Sequence, residues 1–278
     1  MKKIETKTKL TGKFRADIIV PTWNQTEYTL RCLESVRQNT TNYRLIWVDN
    51  GSDTESRDAV QEEIIRHSNY YQLWSKENLG FIGGNNLALK SIYETFTDRS
   101  DYVVLLNNDV EVTPGWLDRM MTILDSNNRL SAVGPVTSEC TSWQSFRNVR
   151  HICPNFKIPN GLAPAPRDLR AKILSDEYGL KVSPCRMLAF FCTVFRSEVF
   201  ERIGYLDTAF GEGYGDDDDF CKRMNDAGMR LGLSMGSYVF HNHRTSFKAK
   251  YTEDQIKEIQ SERLEVFEKK HGEKARLK

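Results

Sequence analysis

Nowhere in these 278 residues do roughly 18 apolar residues follow one another, so the sequence offers no candidate membrane-spanning helix. The N-terminal stretch MKKIETKTKLTGKFRADIIV is basic but lacks the apolar run of a signal peptide, and a soluble, cytoplasmic protein is expected. Charge of one sign is also missing. The 39 Lys and Arg nearly cancel the 38 Asp and Glu, which excludes the global basic field of a nucleic-acid binder and leaves only local patches for such a partner. There is no CxxC. The six cysteines, Cys32, Cys140, Cys153, Cys185, Cys192 and Cys221, are irregularly spaced, so neither a zinc ribbon nor a disulfide framework is indicated and reduced, buried thiols are expected. Neither GxGxxG nor GxxxxGK[ST] occurs in the glycine-rich stretch ENLGFIGGNN, which weakens dinucleotide and P-loop readings.

What is present is an alternation of strand and helix patterns. ADIIVPTWN begins as a β-branched run, and Thr26 to Gln38 then places Leu30, Leu33 and Val36 at helical spacing. RLIWVDNGSD followed by DAVQEEIIRH repeats the pair, as does YYQLWSKEN followed by NNLALKSIYETF; DYVVLLNND is a fourth strand. Such alternation implies right-handed βαβ units and an α/β fold with a mostly parallel sheet, whose ligands bind beyond the carboxyl ends of the strands. Polar residues collect at those ends: Pro21, Thr22 and Asn24; Asp49, Asn50 and Ser52; Asn78 and Gly80; Asn107, Asn108 and Asp109. Each alone reads as a turn or cap residue. Together they supply groups for imide pairing, hydroxyl binding and cation binding, an inventory that fits a nucleotide-derived ligand. Gly80, Gly83 and Gly84 would let backbone approach that ligand closely.

The second half reads as less regular. Cys140 to Pro184, rich in Pro, Asn and Gly, predicts a long loop or lid; Leu188 to Val194 predicts a strand, Ser197 to Ile203 a short helix, and Tyr238 to His241 a strand. Residues 251–278 predict a charged helix with Ile256, Ile259, Leu264 and Phe267 on its apolar side, packed on the domain.

The run YGDDDDFCKR can be placed by helix phase. With Phe220, Cys221, Met224 and Ala227 setting the apolar stripe, Asp216 and Asp217 fall within about 60° of its centre and Asp218 and Asp219 lie more than about 100° away. Asp218 and Asp219 are then expected in solvent, opposite Lys222 and Arg223 at i+4. Asp216 and Asp217 face inward without local cations, so repulsion should raise the proton affinity of at least one, as a general base requires, while the helix N-terminus favours the charged form.

In order, VPTWN, WVDNGSD, ENLGFIGGNN, LLNNDVEVTPGWL, FRSEVFERIGYLD and YGDDDDFCKRM resemble the motif series of family-2 inverting glycosyltransferases of the GT-A fold. The resemblance runs from about Asp17 to Phe247 and is nearest to the rhamnosyltransferase-like branch. It implies a Rossmann-like central sheet flanked by helices, a nucleotide-sugar donor, Mn²⁺ or Mg²⁺, and transfer with inversion. It also implies a nucleotide-sugar-binding half (1–135), an acceptor-binding and catalytic half (136–248) and a helical extension (249–278).

Carried over by position, Asp49 accepts from the nucleobase imide, which favours a UDP- or dTDP-type donor. Pro21, Thr22 and Asn24, with Asn50 and Ser52, line the nucleoside pocket; Asn78, Gly80 and Gly84 lie near ribose and diphosphate. Asn107, Asn108 and Asp109 stand where the family has DxD, so Asp109 is the surviving carboxylate ligand of the cation. HNHRTSF maps His241 as a further metal ligand, with His243 competing and Ser246 completing the motif, and Arg244 on the leaving diphosphate. The family's Glu-Asp pair aligns with Asp216 and Asp217, making Asp217 the general base and Asp216 an acceptor-orienting group.

The acceptor is a glycan by the family's commonest case, with a protein or a modified nucleic-acid base also open, the last through a basic face of Arg147, Arg150, Arg167, Arg170 and Lys172. Tyr205, Phe210, Tyr214 and Trp143 are candidates to stack on it. A non-catalytic nucleotide-sugar-binding module and a nucleotidyltransferase on the same fold are the competing readings. Oligomeric state is not encoded in any pattern found.

Overall fold

Seven consecutive residues of β1 (Ala16–Thr22) and eight of β2 (Tyr43–Asn50) are buried, as expected of parallel strands covered by helices on both faces. The structure is a computed structural model, and it describes residues 14–138, 143–151, 153–154, 156–159, 162, 165–242 and 250–272. Helix α1 (Thr26–Asn39) follows β1, and α2 (Thr54–Ile64) follows β2. Then come β3 (Tyr70–Ser75), α3 (Gly80–Glu94), β4 (Tyr102–Leu106), β5 (Val110–Val112), α4 (Trp116–Ser126) and β6 (Leu130–Val136). The second half contributes α5 (Arg167–Tyr178), β7 (Val182–Cys185), β8 (Cys192–Arg196), α6 (Glu198–Ile203), α7 (Asp216–Asp226), β9 (Arg230–His241) and α8 (Glu253–His271).

The strands form one sheet in the order β3-β2-β1-β4-β8-β6-β9-β5, with β7 beside β9. The β3-β2-β1-β4 part is wholly parallel, so four strand ends with their Asp and Asn residues face one edge. β8 then inserts antiparallel between β4 and β6, and β6 and β9 run parallel again. One core cluster holds Ile18, Trp47, Leu106 and Phe191; a second holds Ile19, Val48, Phe190 and Phe220. Alternation along β1 divides Ile18 from Ile19 in this way, as a pleated strand requires.

Several expected boundaries shift. The stretch from Cys140 to Pro184 contains α5 and β7, where a long loop was expected. Ala171, Leu174 and Tyr178 bury one face of α5 against Phe156, Val149 and Tyr238, so packing overrides flanks rich in Pro and Gly. The strand expected over Leu188 to Val194 begins only at Cys192, because residues 188–191 bridge two clusters before pairing starts. The C-terminal helix packs on the domain as expected, with Ile256 and Phe267 buried and a Thr252/Gln255 capping box at its start. The described cysteines are free thiols and four of the five are buried; Cys140 lies outside the described residues. Among the described residues no helix is long and apolar enough to cross a membrane.

Candidate active site

The first strand ends in two left-handed residues, Asn24 (φ 53°) and Gln25 (φ 56°), which turn the chain sharply into α1. Two hydrogen bonds hold this corner to the next strand end. The Asn24 N–H donates to Ser52 Oγ at 2.9 Å, and Asn24 Oδ1 accepts from the Asp53 N–H at 2.9 Å. Asp49, 2% exposed, accepts from the Ser52 N–H at 3.3 Å, and burial pushes its carboxyl above the usual carboxylate range. Thr22 is buried inside the sheet, taking the Trp47 indole N–H at 2.8 Å, so its hydroxyl is committed to joining β1 and β2.

Asn50 brackets the third strand end. Its amide donates to Asn78 Oδ1 at 3.1 Å and to the Gly80 carbonyl at 2.9 Å, while its Oδ1 accepts from the Leu79 N–H at 3.0 Å. The glycines do not leave an open cradle here, contrary to the expected close approach to a ligand. A Cβ at Gly80, whose φ is 69°, would lie 2.3 Å from Glu212 Cα, and one at Gly84 would meet Pro21 Cβ at 3.0 Å. The missing side chains let α3 seat against β1 and let the loop before α7 seat against α3, where the Phe81 N–H donates to the Glu212 carbonyl at 2.8 Å.

At the fourth strand end Asn107, Asn108 and Asp109 diverge. Asn108 is buried and donates to Thr29 Oγ1 of α1 at 3.0 Å, away from the strand edge. Asn107 keeps a buried Oδ1 with no hydrogen-bond partner. Asp109 Oδ1 lies 3.2 Å from His241 Nε2, because Val110 of β5 pairs with His241 of β9 and brings the two side chains together across the ladder. The Phe191 ring stacks on the His241 imidazole at 4.8 Å and 13°, fixing its plane. The two residues expected to bind the cation are thus adjacent, although 132 positions apart in the chain. Among the described residues no cluster of three or more His, Cys, Asp or Glu side chains could hold a metal ion. Arg244, His243 and Ser246 lie outside the described residues.

The four aspartates open α7 directly after Tyr214 (φ 70°) and Gly215 (φ 79°). Tyr214 is a bulky residue in the left-handed region, a conformation that costs on the order of 1–3 kcal/mol and persists only where surrounding structure imposes it. The helix phase argument failed for the outer pair: Asp218 and Asp219 are buried, at 6% and 0% exposure. Asp219 does meet Arg223 at 2.8 Å, as expected. It also receives Lys270 at 2.7 Å and His271 at 2.8 Å from α8, which covers the flank assigned to solvent. Lys222 pairs with Asp226 at 2.6 Å.

Asp217 is the one acid of the four left only partly buried. Its Oδ1 accepts from the Asp218 N–H at 3.0 Å, and desolvation sets its carboxyl at about 6 in spite of that bond. Asp216 is pushed well up by burial and then by Asp217, and Asp218 up to about 9 by burial and then by Asp217 and Asp216. Burial thus raises all three carboxyls of this helical turn, and Asp217, at about 6, ionises well before Asp218 as pH rises.

A single extended tetrapeptide joins this acid turn to the Asp109–His241 pair. Leu188 bonds Cys221 of α7 through its N–H, at 3.4 Å to Sγ, and the Phe190 ring meets Phe220 edge-on at 5.7 Å. Phe191 stacks on His241, and its carbonyl accepts from the Asn107 N–H at 2.9 Å. Residues 188–191 therefore pack against α7 just beyond its acid turn and against His241.

The aromatic and basic acceptor candidates divide. Phe210 is wholly buried and packs in the core, and Tyr205 packs beside Tyr93 at 6.1 Å. Trp143 meets His151 edge-on at 5.2 Å. Two residues of the basic face pair with acids, Arg167 with Glu111 and Asp168, and Lys172 with Asp176 at 2.6 Å. An open polar depression of about 430 Å³ lined by Arg99, Asp101, Tyr102, Asp125 and Arg196 lies at the amino end of β4, the far end of that strand from Asp109.

Sequence comparison identifies one family, and structure comparison one fold. The family model described as "Glycosyl transferase family 2" matches residues 17–204. The chain is 26% identical over 214 residues to the low-salt glycan biosynthesis hexosyltransferase Agl10 of Haloferax volcanii, covering 73% of this chain and 61% of that protein. The fold is similar to the crystal structure of GalNAc-T7 with UDP, GalNAc and Mn²⁺ (TM-score 0.61, 12% identity, 85% of this chain and 45% of that one). It is also similar to the mannosyltransferase PcManGT from Pyrobaculum calidifontis in complex with GDP-Man and Mn²⁺ (TM-score 0.60, 18% identity, 88% and 61%). In each case the chain spans less than two thirds of the other protein's length, and at these identities the structural likeness speaks for the GT-A fold alone.

Proposed function

The chain belongs to glycosyl transferase family 2, and on that premise we propose that it moves a sugar, with inversion, from a nucleoside-diphosphate sugar to an acceptor hydroxyl. The observation that carries this reading is the acid turn of α7. Asp217 is partly accessible, oriented by the Asp218 N–H, and poised near 6 between two carboxyls that burial also raises. Such a group takes the proton of an attacking alcohol without being a strong acid in its own right, and general base catalysis contributes roughly 10²- to 10⁴-fold. Inversion follows if that alcohol attacks the anomeric carbon from the face opposite the nucleotide. Asp216 orients the acceptor from the same turn.

The carboxyl ends of β1 to β4 form the donor side in this reading. Asp49 accepts from a nucleobase N–H, with a uracil or thymine imide the best match, and Ser52 and Asn24 hold its loop. Asn50, Asn78, Gly80 and Gly84 act indirectly, by fixing that loop against α3. Arg244 is assigned to the leaving diphosphate from its place in the sequence.

A hard divalent cation, Mn²⁺ or Mg²⁺, fits the carboxylate of Asp109 with the imidazole of His241, and Asn107 Oδ1, without a partner among the described residues, adds a second oxygen donor nearby in sequence. When bound, such an ion neutralises charge on a departing diphosphate. The test is a transfer assay over a panel of nucleotide-sugars and glycan acceptors. Asp217→Asn is expected to lose at least about 10²-fold in kcat with donor affinity retained. Near-normal turnover by that variant would remove Asp217 from the role.

A further inference from the structure

Four carboxyls in the first turn of α7 are an unstable arrangement unless at least one is compensated from outside the turn. Asp219 is that one. It is fully buried and takes three cationic or hydrogen-bonding partners, Arg223 Nε at 2.8 Å from its own helix and Lys270 Nζ at 2.7 Å and His271 Nε2 at 2.8 Å from α8. Lys270 also reaches Asp207, at the start of the loop that leads into α7. The Phe267 ring, 4% exposed and 4.6 Å from the His271 ring, anchors the same end of α8 in the core cluster that contains Phe220 and Cys221. One helical turn earlier the Arg263 guanidinium lies over Gly211, where a Cβ would come within 2.6 Å of Nη2. A Cβ at Gly215 would meet the Phe210 ring at 3.2 Å and Arg263 Cβ at 3.7 Å.

We infer that the last turn of α8, through Lys270 and His271, is a positioning clamp for the proposed general base, holding the acid turn of α7 in place by ligating Asp219 two residues beyond Asp217. The inference rests on the proposed transferase reading for its catalytic consequence. Lys270 and His271 do not touch the reacting groups; they act through Asp219. Burial of a carboxylate is tolerated only while its partners stay, since an uncompensated buried charge draws in water or a proton and moves the backbone that carries it. The turn that would move is the one whose entry, Tyr214 and Gly215, is already held in the left-handed region. Misplacement of a catalytic group by about 1 Å costs on the order of 10²-fold in rate.

The double variant Lys270→Met/His271→Gln removes both contacts from α8 and leaves Arg223 on Asp219. Expected are faster amide hydrogen exchange in residues 212–222 with β1 to β4 unchanged, and a kcat per donor-binding molecule lowered by about 10-fold or more at constant donor affinity. Lys270→Arg should restore both, and Lys269→Met on the exposed side of the same turn should change neither. Asp219→Asn, which keeps the shape and loses the charge, should reproduce the loss of kcat. Unchanged exchange in 212–222 overturns the clamp. Raised exchange with unchanged kcat overturns its positioning role and leaves only packing. A wild-type chain that transfers no sugar from any donor would defeat the transferase reading, and the exchange comparison would still decide whether α8 holds α7.

Discussion

A carboxyl that is to take a proton from an alcohol must be ionised before it acts, so its affinity for protons sets the acid side of the pH profile. With Asp217 at about 6, transfer should fall as pH drops through about 6, and kcat/KM measured between pH 4.5 and 8 checks this. A profile flat down to pH 4.5 would argue for another base. Asp218 gives a stability test with the opposite sense. Its carboxyl is raised to about 9 by burial, so between the unfolded value near 4 and about 9 the native state holds a proton that the unfolded state releases. Native stability therefore declines across that window as pH rises. Asp218→Asn removes the linkage, and its urea midpoint relative to wild type should climb from pH 5 to pH 8; a constant difference would show that Asp218 is ionised in the fold. Spacing pointed to a raised proton affinity at Asp216 or Asp217 but missed the burial of Asp218 and Asp219. Phase about one helix axis finds the inward stripe set by Phe220 and Met224, but the partners that bury Asp219 sit 51 and 52 positions later in the chain.

Elements show a similar division. β1, β2 and β4 were readable because strands buried on both faces are written as runs such as DIIV and LIWV, and the Asp and Asn residues at or just beyond their ends fell where the sheet topology put them. Helix α5 was hidden because its flanks carry Pro and Gly and its burial depends on β9 and on Phe156. The glycines that open α3 were legible as close approaches, and the group that approaches Gly80 in the structure is the Glu212 backbone. This contact yields a paired prediction. Gly80 (φ 69°) and Gly272 (φ 68°) have the same left-handed backbone, but among the described residues a Cβ at Gly272 meets nothing within 4 Å. Gly272→Ala should cost only the conformational term, on the order of 1 kcal/mol. Gly80→Ala adds a collision with Glu212 Cα and should cost clearly more, with loss of transfer because the loop into α7 shifts. Equal changes in denaturation midpoint for the two variants would refute that contact.

For the whole molecule, the proposed cation dependence turns on what two adjacent side chains can hold. Asp109 and His241 supply one oxygen and one nitrogen donor, and no described cluster offers three acidic, His or Cys groups. Mg²⁺ and Mn²⁺ are commonly held by one or two protein groups together with substrate phosphates, so the cation should bind with the diphosphate and weakly without it. Ligands that bind only the native state stabilise it by about 2.7 kcal/mol at 100 times their Kd. At about 2–4 °C per kcal/mol for a chain somewhat smaller than this one, the resulting shift in Tm is on the order of 5 °C. Mn²⁺ alone should therefore move the Tm little, a nucleoside diphosphate alone modestly, and the two together by more than their sum. Asp109→Ala should abolish the excess while leaving the shift from the diphosphate alone, because Asp49 and the loops at residues 24 and 52 stay intact. A large shift from Mn²⁺ alone would instead place a complete metal site elsewhere in the chain, and failure of every nucleoside diphosphate to stabilise the fold would remove the donor assignment.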